Sequence, residues 1–143
     1  MSRKFDVAVV GATGAVGEAM LSILAERKFP VNKVYALASA RSAGTQVKFA
    51  DGYLTVEDLA KFDFAKAQIG LFSAGGDISA QYAPKAAAAG CVVIDNTAHF
   101  RYDKDIPLVI PEVNPDKVAD YKNRGIIANP NCSTIQMLVE LKP

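Results

Sequence analysis

Three glycines spaced three residues apart, Gly11, Gly14 and Gly17, constrain the fold of this chain more than any other feature. They directly follow residues 5–10, a valine-rich apolar run typical of a buried parallel strand, and they open a segment with helical apolar spacing. In such a unit the first glycine permits a sharp turn, the second lets the backbone approach a pyrophosphate, and the third lets helix and strand pack closely. The G-x-x-G-x-x-G spacing is a variant of the dinucleotide-binding fingerprint. A glycine-rich turn that binds nothing is the plainer alternative.

Strand and helix patterns alternate along the rest of the chain. We predict strands at residues 34–38, 69–73, 91–95 and 126–128, and helices at 18–27, 79–89 and 115–121, the last with Asn114 as its N-cap. Gly90 is the expected C-cap of the alanine-rich helix at 79–89. The first residue of this helix is left open, because proline is best tolerated in a first turn and Pro84 lies within the predicted range. Residues 48–57 are ambiguous and are expected to hold an irregular pair of short strands. The alternation predicts an α/β fold with a doubly wound, mostly parallel sheet, as in Rossmann-like dinucleotide-binding domains.

Composition argues against several functional classes. The net charge is +1, so no bulk field draws this chain to nucleic acid or to a membrane surface. No apolar run approaches the roughly 20 residues that span a bilayer, and the N-terminus lacks the pattern of a signal peptide. Two cysteines are too few for a disulfide framework, which favours the reducing cytoplasm. No metal site is expected.

The C-terminal residues predict that the chain is part of a longer polypeptide. Residues 133–143 have the pattern of a helix that has just begun, whereas domains usually end in polar, frayed residues. We therefore expect residues 1–131 to form a dinucleotide-binding domain. Residues 132–143 would begin a second domain, for substrate binding and dimerisation, that is missing from this chain.

Two strand ends carry further candidate cofactor contacts. An NAD-preferring site usually has Asp or Glu after the second strand, to hold the ribose hydroxyls, but this chain has Ser39, Arg41 and Ser42. The Arg41 guanidinium can bind a 2′-phosphate with the two hydroxyls as further donors, so NADP is favoured over NAD. A solvated loop arginine is the alternative. Ser73 and Gly75, at the end of the third strand, lie at the expected ligand edge of the sheet, although a simple tight turn explains them nearly as well.

Cys132 is the candidate nucleophile. It lies in the stretch Asn-Pro-Asn-Cys-Ser-Thr-Ile-Gln, in which Ser133 and Gln136 fit a capping box. The cysteine then lies just before or in the first turn of a helix, where the partial positive charge favours the thiolate. Cys91 lies in a plain apolar strand and is expected to be a buried core side chain. A purely structural role is the alternative for Cys132 as well, but its polar, turn-forming neighbours make burial less natural.

Taken together, these segments resemble the aspartate-semialdehyde dehydrogenase family. The matching segments are residues 11–17, 39–42, 73–76, 95–101, 110–114 and 129–136, in order and spread over nearly the whole chain. The last is the most specific. It differs from the Ser-Cys-Thr-Thr-Asn-type site of glyceraldehyde-3-phosphate dehydrogenase and from the Asn-Pro-Gly-Cys-Tyr-type site of N-acetyl-glutamyl-phosphate reductase, the two nearest relatives by chemistry.

The resemblance implies an NADPH-dependent reductive dephosphorylation of aspartyl 4-phosphate to aspartate 4-semialdehyde, in the biosynthesis of lysine, threonine and methionine. Cys132 would attack the acyl phosphate and form a thioester, which hydride then reduces. Arg101 and Asn131 would bind the phosphate and substrate. Judged without the family, Arg101 would form a surface ion pair with Asp103 or Asp105. The implied cofactor contacts at the first helix are Thr13, Gly14, Ala15 and Val16.

The resemblance also implies what these 143 residues lack. The family's histidine base, the glutamine partner of its nucleophile and its substrate-carboxylate arginine belong to the second domain, so this chain alone is expected to be inactive. The full-length protein is expected to be a homodimer or homotetramer. His99, the single histidine, is expected to be a loop or surface side chain. The alternatives are an N-acetyl-glutamyl-phosphate reductase-like enzyme and a non-catalytic cofactor-binding or assembly module with a structural cysteine.

Overall fold

The computed structural model describes residues 3–141, apart from the side chain of Ser133. A six-stranded sheet and a separate two-stranded hairpin form its framework. The elements in chain order are β1 (Phe5–Val10), α1 (Ala15–Glu26), β2 (Val31–Ala38), β3 (Gln46–Phe49), β4 (Gly52–Thr55), β5 (Glu57–Asp58), β6 (Ile69–Phe72), α2 (Gly76–Ala88), β7 (Val92–Asp95), β8 (Ile126–Ala128) and α3 (Cys132–Leu141). Short 3-10 helices lie at Leu59–Lys61, Phe64–Lys66 and Pro115–Asn123.

The large sheet has the strand order β5-β2-β1-β6-β7-β8, and all of its neighbouring strands are parallel. Counted along the chain within this sheet, the order is 3-2-1-4-5-6, that of a dinucleotide-binding α/β fold, with the switch point between β1 and β6. The predicted doubly wound, mostly parallel sheet is therefore confirmed. In such sheets ligands bind in the crevice beyond the carboxyl ends of the strands, at the switch point.

Side chains of β1 alternate between the two faces of the sheet and build two cores. Val7 and Val9 pack on the face covered by α1, together with Leu21 of that helix. Ala8 and Val10 point to the opposite face, where they belong to the same cluster as Phe72 and the buried side of α2. Burial of one such aliphatic or aromatic side chain contributes about 1.5–3 kcal/mol. The two cores hold the strand ends, and therefore the ligand edge, in fixed register.

The ambiguous stretch at residues 48–57 contains the predicted pair of short strands. β3 and β4 pair antiparallel, with Val47 opposite Leu54. Ala50 lies in the left-handed region at φ +52°, which closes the tight connection between them. Val47 is buried in the same core as α1. The hairpin therefore covers the α1 face near β2, and the chain then returns to the sheet as β5.

Helix α2 begins at Gly76, three residues earlier than we predicted, so Pro84 lies in its interior. The buried side of α2 carries Ala83 and Ala86, whereas Pro84 is exposed, so the backbone carbonyl left without a partner has access to water. Gly90 lies one residue beyond the C-cap, at φ +93°. Its N–H donates to the Ala87 carbonyl, and the next N–H donates to the Ala86 carbonyl, both at 3.0 Å, which is a Schellman ending.

The helix predicted at residues 115–121 is present at Pro115–Asn123, but as a 3-10 helix rather than an α-helix. Residues 115–123 form a 3-10 helix without a buried side chain, and no apolar face is available to hold an α-helix. Asn114 does not cap it. Its side-chain oxygen accepts from the Ile110 N–H at 2.8 Å, and its amide donates to the Leu108 carbonyl at 2.9 Å. The asparagine therefore closes the preceding turn and is not available to the helix.

Candidate active site

The turn between β1 and α1 requires glycine at two of its three glycine positions for steric reasons. Gly11 has φ +89°, and a Cβ on it would lie 3.0 Å from the carbonyl carbon and oxygen of Ser73. A Cβ on Gly17 would overlap the carbonyl oxygen of Gly11. A Cβ on Gly14 would make only ordinary contact, 3.5 Å from that same oxygen. Packing within the chain therefore explains Gly11 and Gly17, whereas it does not require glycine at position 14.

Two helices begin at this edge of the sheet. Gly14 is the N-cap of α1, and Gly75, at φ +96°, is the N-cap of α2, and within the described residues neither start has a side-chain cap. The first turn of a helix leaves backbone N–H groups without partners inside the helix, and these favour an anion. Ala15 and Val16, the first residues of α1, are exposed. The residues predicted to bind a pyrophosphate are therefore placed where a pyrophosphate can be bound.

A cavity of about 560 Å³ lies between the ends of β2, β1 and β6 and the side of α2. Its volume is in the range of small-molecule and cofactor sites. Five of the residues predicted as cofactor contacts line it: Gly11, Thr13, Gly14, Ser39 and Ser73. The remainder of the wall was not predicted from the sequence: Ala38, Ala40, Asp58, Leu59, Ala60, Ala74, Ile78 and Tyr82. These residues come from β2, β5, a 3-10 helix, α2 and two connecting segments, and only the fold brings them together.

Arg41 lies in the turn after β2, directly after Ser39 and Ala40, which line the cavity. The Ser42 N–H donates to the Ser39 carbonyl at 2.9 Å, and the Thr45 hydroxyl donates to the Ser42 carbonyl at 2.7 Å, so the turn is held by its own backbone. Arg41 is exposed, and no group among residues 3–141 pairs with its guanidinium. Its donors therefore remain available for an anionic ligand group.

Arg101 joins the ends of β7 and β8. Its Nε donates to the Asn129 carbonyl at 2.6 Å, and its Nη2 donates to the Asn96 carbonyl at 3.1 Å. The ion pair with Asp103 or Asp105 that the sequence alone suggested is wrong, because Arg124 contacts both carboxylates, at 3.8 and 3.2 Å. Arg101 is half-buried and braced at two points, which fixes the orientation of its remaining N–H donors.

A buried carboxyl group, which our sequence analysis assigned no role, organises the loop that carries Arg101. Asp95 ends β7 and is 0% exposed. Its Oδ1 accepts from the Ser79 hydroxyl at 2.7 Å and from the Thr97 N–H at 3.1 Å, and its Oδ2 accepts from the Thr97 hydroxyl at 2.8 Å. The network ties α2 to the segment that leads to Arg101. The available signal was an acidic residue that ends an apolar strand.

Cys132 is the first residue of α3 and is exposed. The capping box that we assigned to Ser133 and Gln136 is not the cap, because Asn131 takes that position. Its Oδ1 accepts from the Thr134 N–H at 2.8 Å, and its carbonyl accepts from the Ile135 N–H at 3.0 Å. The Ser133 side chain lies outside the described part of the chain.

The two cysteines lie in opposite environments. Cys91 is 1% exposed, and burial raises the pKa of its thiol to about 12. It therefore remains a neutral thiol at physiological pH, as expected for a core side chain.

His99 is exposed on its loop, as predicted, with its ring edge-on to Phe100 at a centroid distance of 4.6 Å.

All of the predicted site residues lie at or near one edge of the sheet, but they form two groups. The glycine turn and the cavity lie around β2, β1 and β6, whereas Arg101, Asn131 and Cys132 lie beyond β7 and β8 and do not line the cavity. β8 is three strands from β1, which is on the order of 14 Å. An elongated ligand that crosses the switch point can reach both groups.

Within residues 3–141, no cluster of side chains suits a metal ion, and no helix is long and apolar enough to cross a membrane.

The chain is similar to proteins of known family and structure. Residues 6–121 match the family model described as semialdehyde dehydrogenase, NAD binding domain. An aspartate-semialdehyde dehydrogenase of Shewanella sp. (strain DB6705) is 62% identical over all 143 residues, which are 42% of that relative's length. The chain therefore spans less than half of this relative.

Solved structures agree with the family match. Aspartate semialdehyde dehydrogenase II from Vibrio cholerae superposes with a TM-score of 0.96 at 60% identity, over 99% of this chain and 42% of that one. Aspartate semialdehyde dehydrogenase with NADP from Candida albicans superposes with a TM-score of 0.82 at 27% identity, over 99% of this chain and 46% of that one. The same fold therefore persists at lower identity.

Proposed function

Because the chain belongs to the semialdehyde dehydrogenase family, as its NAD(P)-binding domain, we propose that it provides the NADP site and the nucleophile of an aspartate-semialdehyde dehydrogenase. The observation that carries the proposal is the position of Cys132. It is exposed at the start of a helix, at the same sheet edge as a glycine turn suited to a pyrophosphate. A cysteine packed in the core, as Cys91 is, could not serve as a nucleophile.

The residues at the switch point fit a dinucleotide phosphorylated on its ribose. Gly14 has no steric role within the chain, and the start of α1 has no side-chain cap within the described residues, which suits the pyrophosphate. The unpaired Arg41, with Ser39 and Ser42 beside it, suits the 2′-phosphate, so we propose NADP rather than NAD. Ser73 and Gly75 lie where the cofactor crosses from β1 to β6.

In the proposed reaction, the Cys132 sulfur attacks the acyl carbon of aspartyl 4-phosphate. The new C–S bond forms, the C–O bond to the phosphate breaks, and inorganic phosphate leaves with the electron pair. Arg101 donates hydrogen bonds to the phosphate, because its guanidinium is already braced by the Asn96 and Asn129 carbonyls. Asn131 uses its oxygen to cap α3 and keeps its amide for the substrate.

NADPH bound at the switch point would supply the hydride that reduces the resulting thioester to the aldehyde level. Collapse of the thiohemiacetal then releases aspartate 4-semialdehyde and returns the Cys132 sulfur.

Replacement of each cysteine by alanine in the full-length enzyme tests the proposal. The measured quantity is phosphate-dependent reduction of NADP with aspartate 4-semialdehyde, the reverse reaction. Cys132→Ala should lower kcat roughly 10³-fold or more, whereas Cys91→Ala, the matched control, should retain activity. Full activity of Cys132→Ala, or a preference for N-acetyl-glutamate semialdehyde, would refute the assignment.

The relatives are longer than this chain, so the rest of the machinery belongs to residues beyond it. We propose that the isolated 143 residues bind NADP without catalysing turnover. We also propose that the full-length enzyme is a homo-oligomer. We propose a cytoplasmic location, since both cysteines are free and one must remain a thiol to act.

A further inference from the structure

A single acidic side chain lines the cavity at the switch point. Asp58 is the last residue of β5, at the edge of the sheet, and pairs in register with Ala38 at the end of β2. It is partly buried. Among the described residues that line the cavity it is the only charged one. A lone carboxylate in an otherwise neutral ligand site calls for a ligand group that donates hydrogen bonds.

The local hydrogen bonding leaves much of this carboxylate free. Asp58 Oδ1 accepts from the Ala60 N–H at 3.0 Å and thereby caps the 3-10 helix Leu59–Lys61. No other partner for it exists among residues 3–141. Two carboxylate oxygens provide about four acceptor positions. Oδ2 is therefore free to accept from a ligand while Oδ1 maintains the cap.

The surrounding wall fits an aromatic base. The cavity that Asp58 lines is also lined by the apolar side chains of Ala38, Ala40, Leu59, Ala60 and Ile78 and by the aromatic side chain of Tyr82. The pyrophosphate cradle, Gly11 to Gly14, lies at the end of β1, and the ribose-side serine, Ser39, lies at the end of β2. The end of β5 is one strand further out. A dinucleotide that runs from the cradle past Ser39 therefore brings its base to Asp58.

We propose that Asp58 determines nucleobase specificity by accepting a hydrogen bond from the 6-amino group of the adenine in the bound dinucleotide. An ionised carboxylate accepts but cannot donate, so it favours a 6-amino purine and repels the carbonyl oxygen of a 6-oxo purine. The carboxylate also repels a 2′-phosphate, which is consistent with Arg41 lying in the turn after β2 and not beside Asp58 at the end of β5. The inference rests on the proposed dinucleotide site.

The chain offers a matched control in Asp63. Its Oδ1 accepts from the Ala65 N–H at 3.0 Å and caps the 3-10 helix Phe64–Lys66, as Asp58 caps its own helix. Asp63 is exposed and does not line the cavity. Asn also serves as an N-cap. The substitutions Asp58→Asn and Asp63→Asn therefore both preserve a cap, and only the first alters the cavity.

The experiment measures binding of NADP and of its deamino analogue, which carries hypoxanthine, to the full-length enzyme by calorimetry. Wild type should bind NADP roughly 10-fold or more tightly than the analogue, the range of one hydrogen bond to a charged group. In Asp58→Asn the amide can donate to the 6-oxo group, so this preference should fall to about one or reverse. Asp63→Asn should keep the wild-type ratio. The variant Asp58→Ser, which keeps a capping hydroxyl without a charge, should also lose the preference.

Other outcomes overturn the proposal in distinguishable ways. Equal binding of both dinucleotides by wild type overturns the role of Asp58 and leaves the proposed function intact, and this arm needs no variant to fold. An equal loss for both ligands in Asp58→Asn makes the residue a turn cap only. A change in the NAD to NADP ratio at constant base preference assigns the carboxylate to the ribose instead. Failure of wild type to bind any dinucleotide overturns the proposed function together with this inference.

Discussion

The two halves of the ligand edge are built by different physical means. Around β1 and β6, steric exclusion sets the geometry: Gly11 and Gly17 are required because a Cβ would collide with neighbouring backbone. Around β7 and β8, hydrogen bonds from side chains to one another and to backbone set the geometry, through Asp95 and Arg101. The first half excludes an added atom at Gly11 and Gly17, and the second depends on the polar groups of Asp95 and Arg101.

The largest expected effect comes from Gly17→Ala, because the new Cβ meets backbone that cannot move aside. The Cα of Ala12 would lie only 2.8 Å from the new Cβ. The free energy of unfolding should fall by roughly 3 kcal/mol or more, measured by denaturant titration.

Gly14→Ala is the control for this steric half, since its Cβ would be in ordinary contact at 3.5 Å. Its unfolding free energy should change by less than about 1 kcal/mol, whereas affinity for NADP should fall. If both variants were equally unstable, the division into required and ligand-facing glycines would be wrong.

Asp95→Ala should have the next largest effect, in the hydrogen-bonded half. It leaves the Ser79 hydroxyl buried without its partner and should destabilise the fold by roughly 2–3 kcal/mol. Asp95→Asn keeps an oxygen for Ser79 and should lose less. In the full-length enzyme, both variants should raise KM for phosphate, because the loop to Arg101 loses its anchor. An unchanged KM alongside the loss of stability would restrict Asp95 to a structural role.

Features set by local sterics and apolar patterning were predicted from the sequence, whereas features set by hydrogen bonds between distant residues were not. β1 and β8 have the predicted bounds, because a run of apolar side chains suffices to specify a buried strand. Gly11 and Gly17 were assigned their packing roles from spacing alone, because steric requirements at a glycine are local.

The hydrogen-bonded half could not be predicted in the same way, because its partners are distant in sequence. The partner of Asp95 on α2 is 16 residues away, and Arg101 bonds a carbonyl 28 residues away. Asn114 was wrongly predicted as an N-cap for a different reason, because its side chain bonds backbone groups only four and six residues before it and so closes the preceding turn. Asp58 gave no signal at all, since only the pairing of β5 with β2 brings it to the cavity.

Arg101→Lys tests whether bracing, beyond charge, matters at the β7–β8 end. Lysine keeps the positive charge but cannot hold two carbonyls and still present a fixed fork of donors. KM for phosphate should rise roughly 10-fold in the full-length enzyme. The matched control is Arg124→Lys, because Arg124 forms exposed ion pairs with Asp103 and Asp105. A similar kinetic change in both variants would indicate general electrostatics rather than a positioned guanidinium.

The smallest expected effect tests whether the side-chain hydrogen bonds around β7 are confined to its carboxyl end, so that its amino end is apolar. Cys91, at its amino end, is buried, and its pKa is raised from 9.0 to about 12, so the folded chain holds the thiol proton more tightly than the unfolded chain. The contribution of Cys91 to stability is therefore fully present below pH 9.0 and declines as the pH rises toward 12. Relative to wild type, Cys91→Ala should gain about 1 kcal/mol in unfolding free energy between pH 8 and roughly pH 10. A constant difference across that range would mean that the thiol ionises as readily in the folded chain as in the unfolded one, and that the amino end of β7 is not the dry, sterically packed region that its neighbours in the core imply.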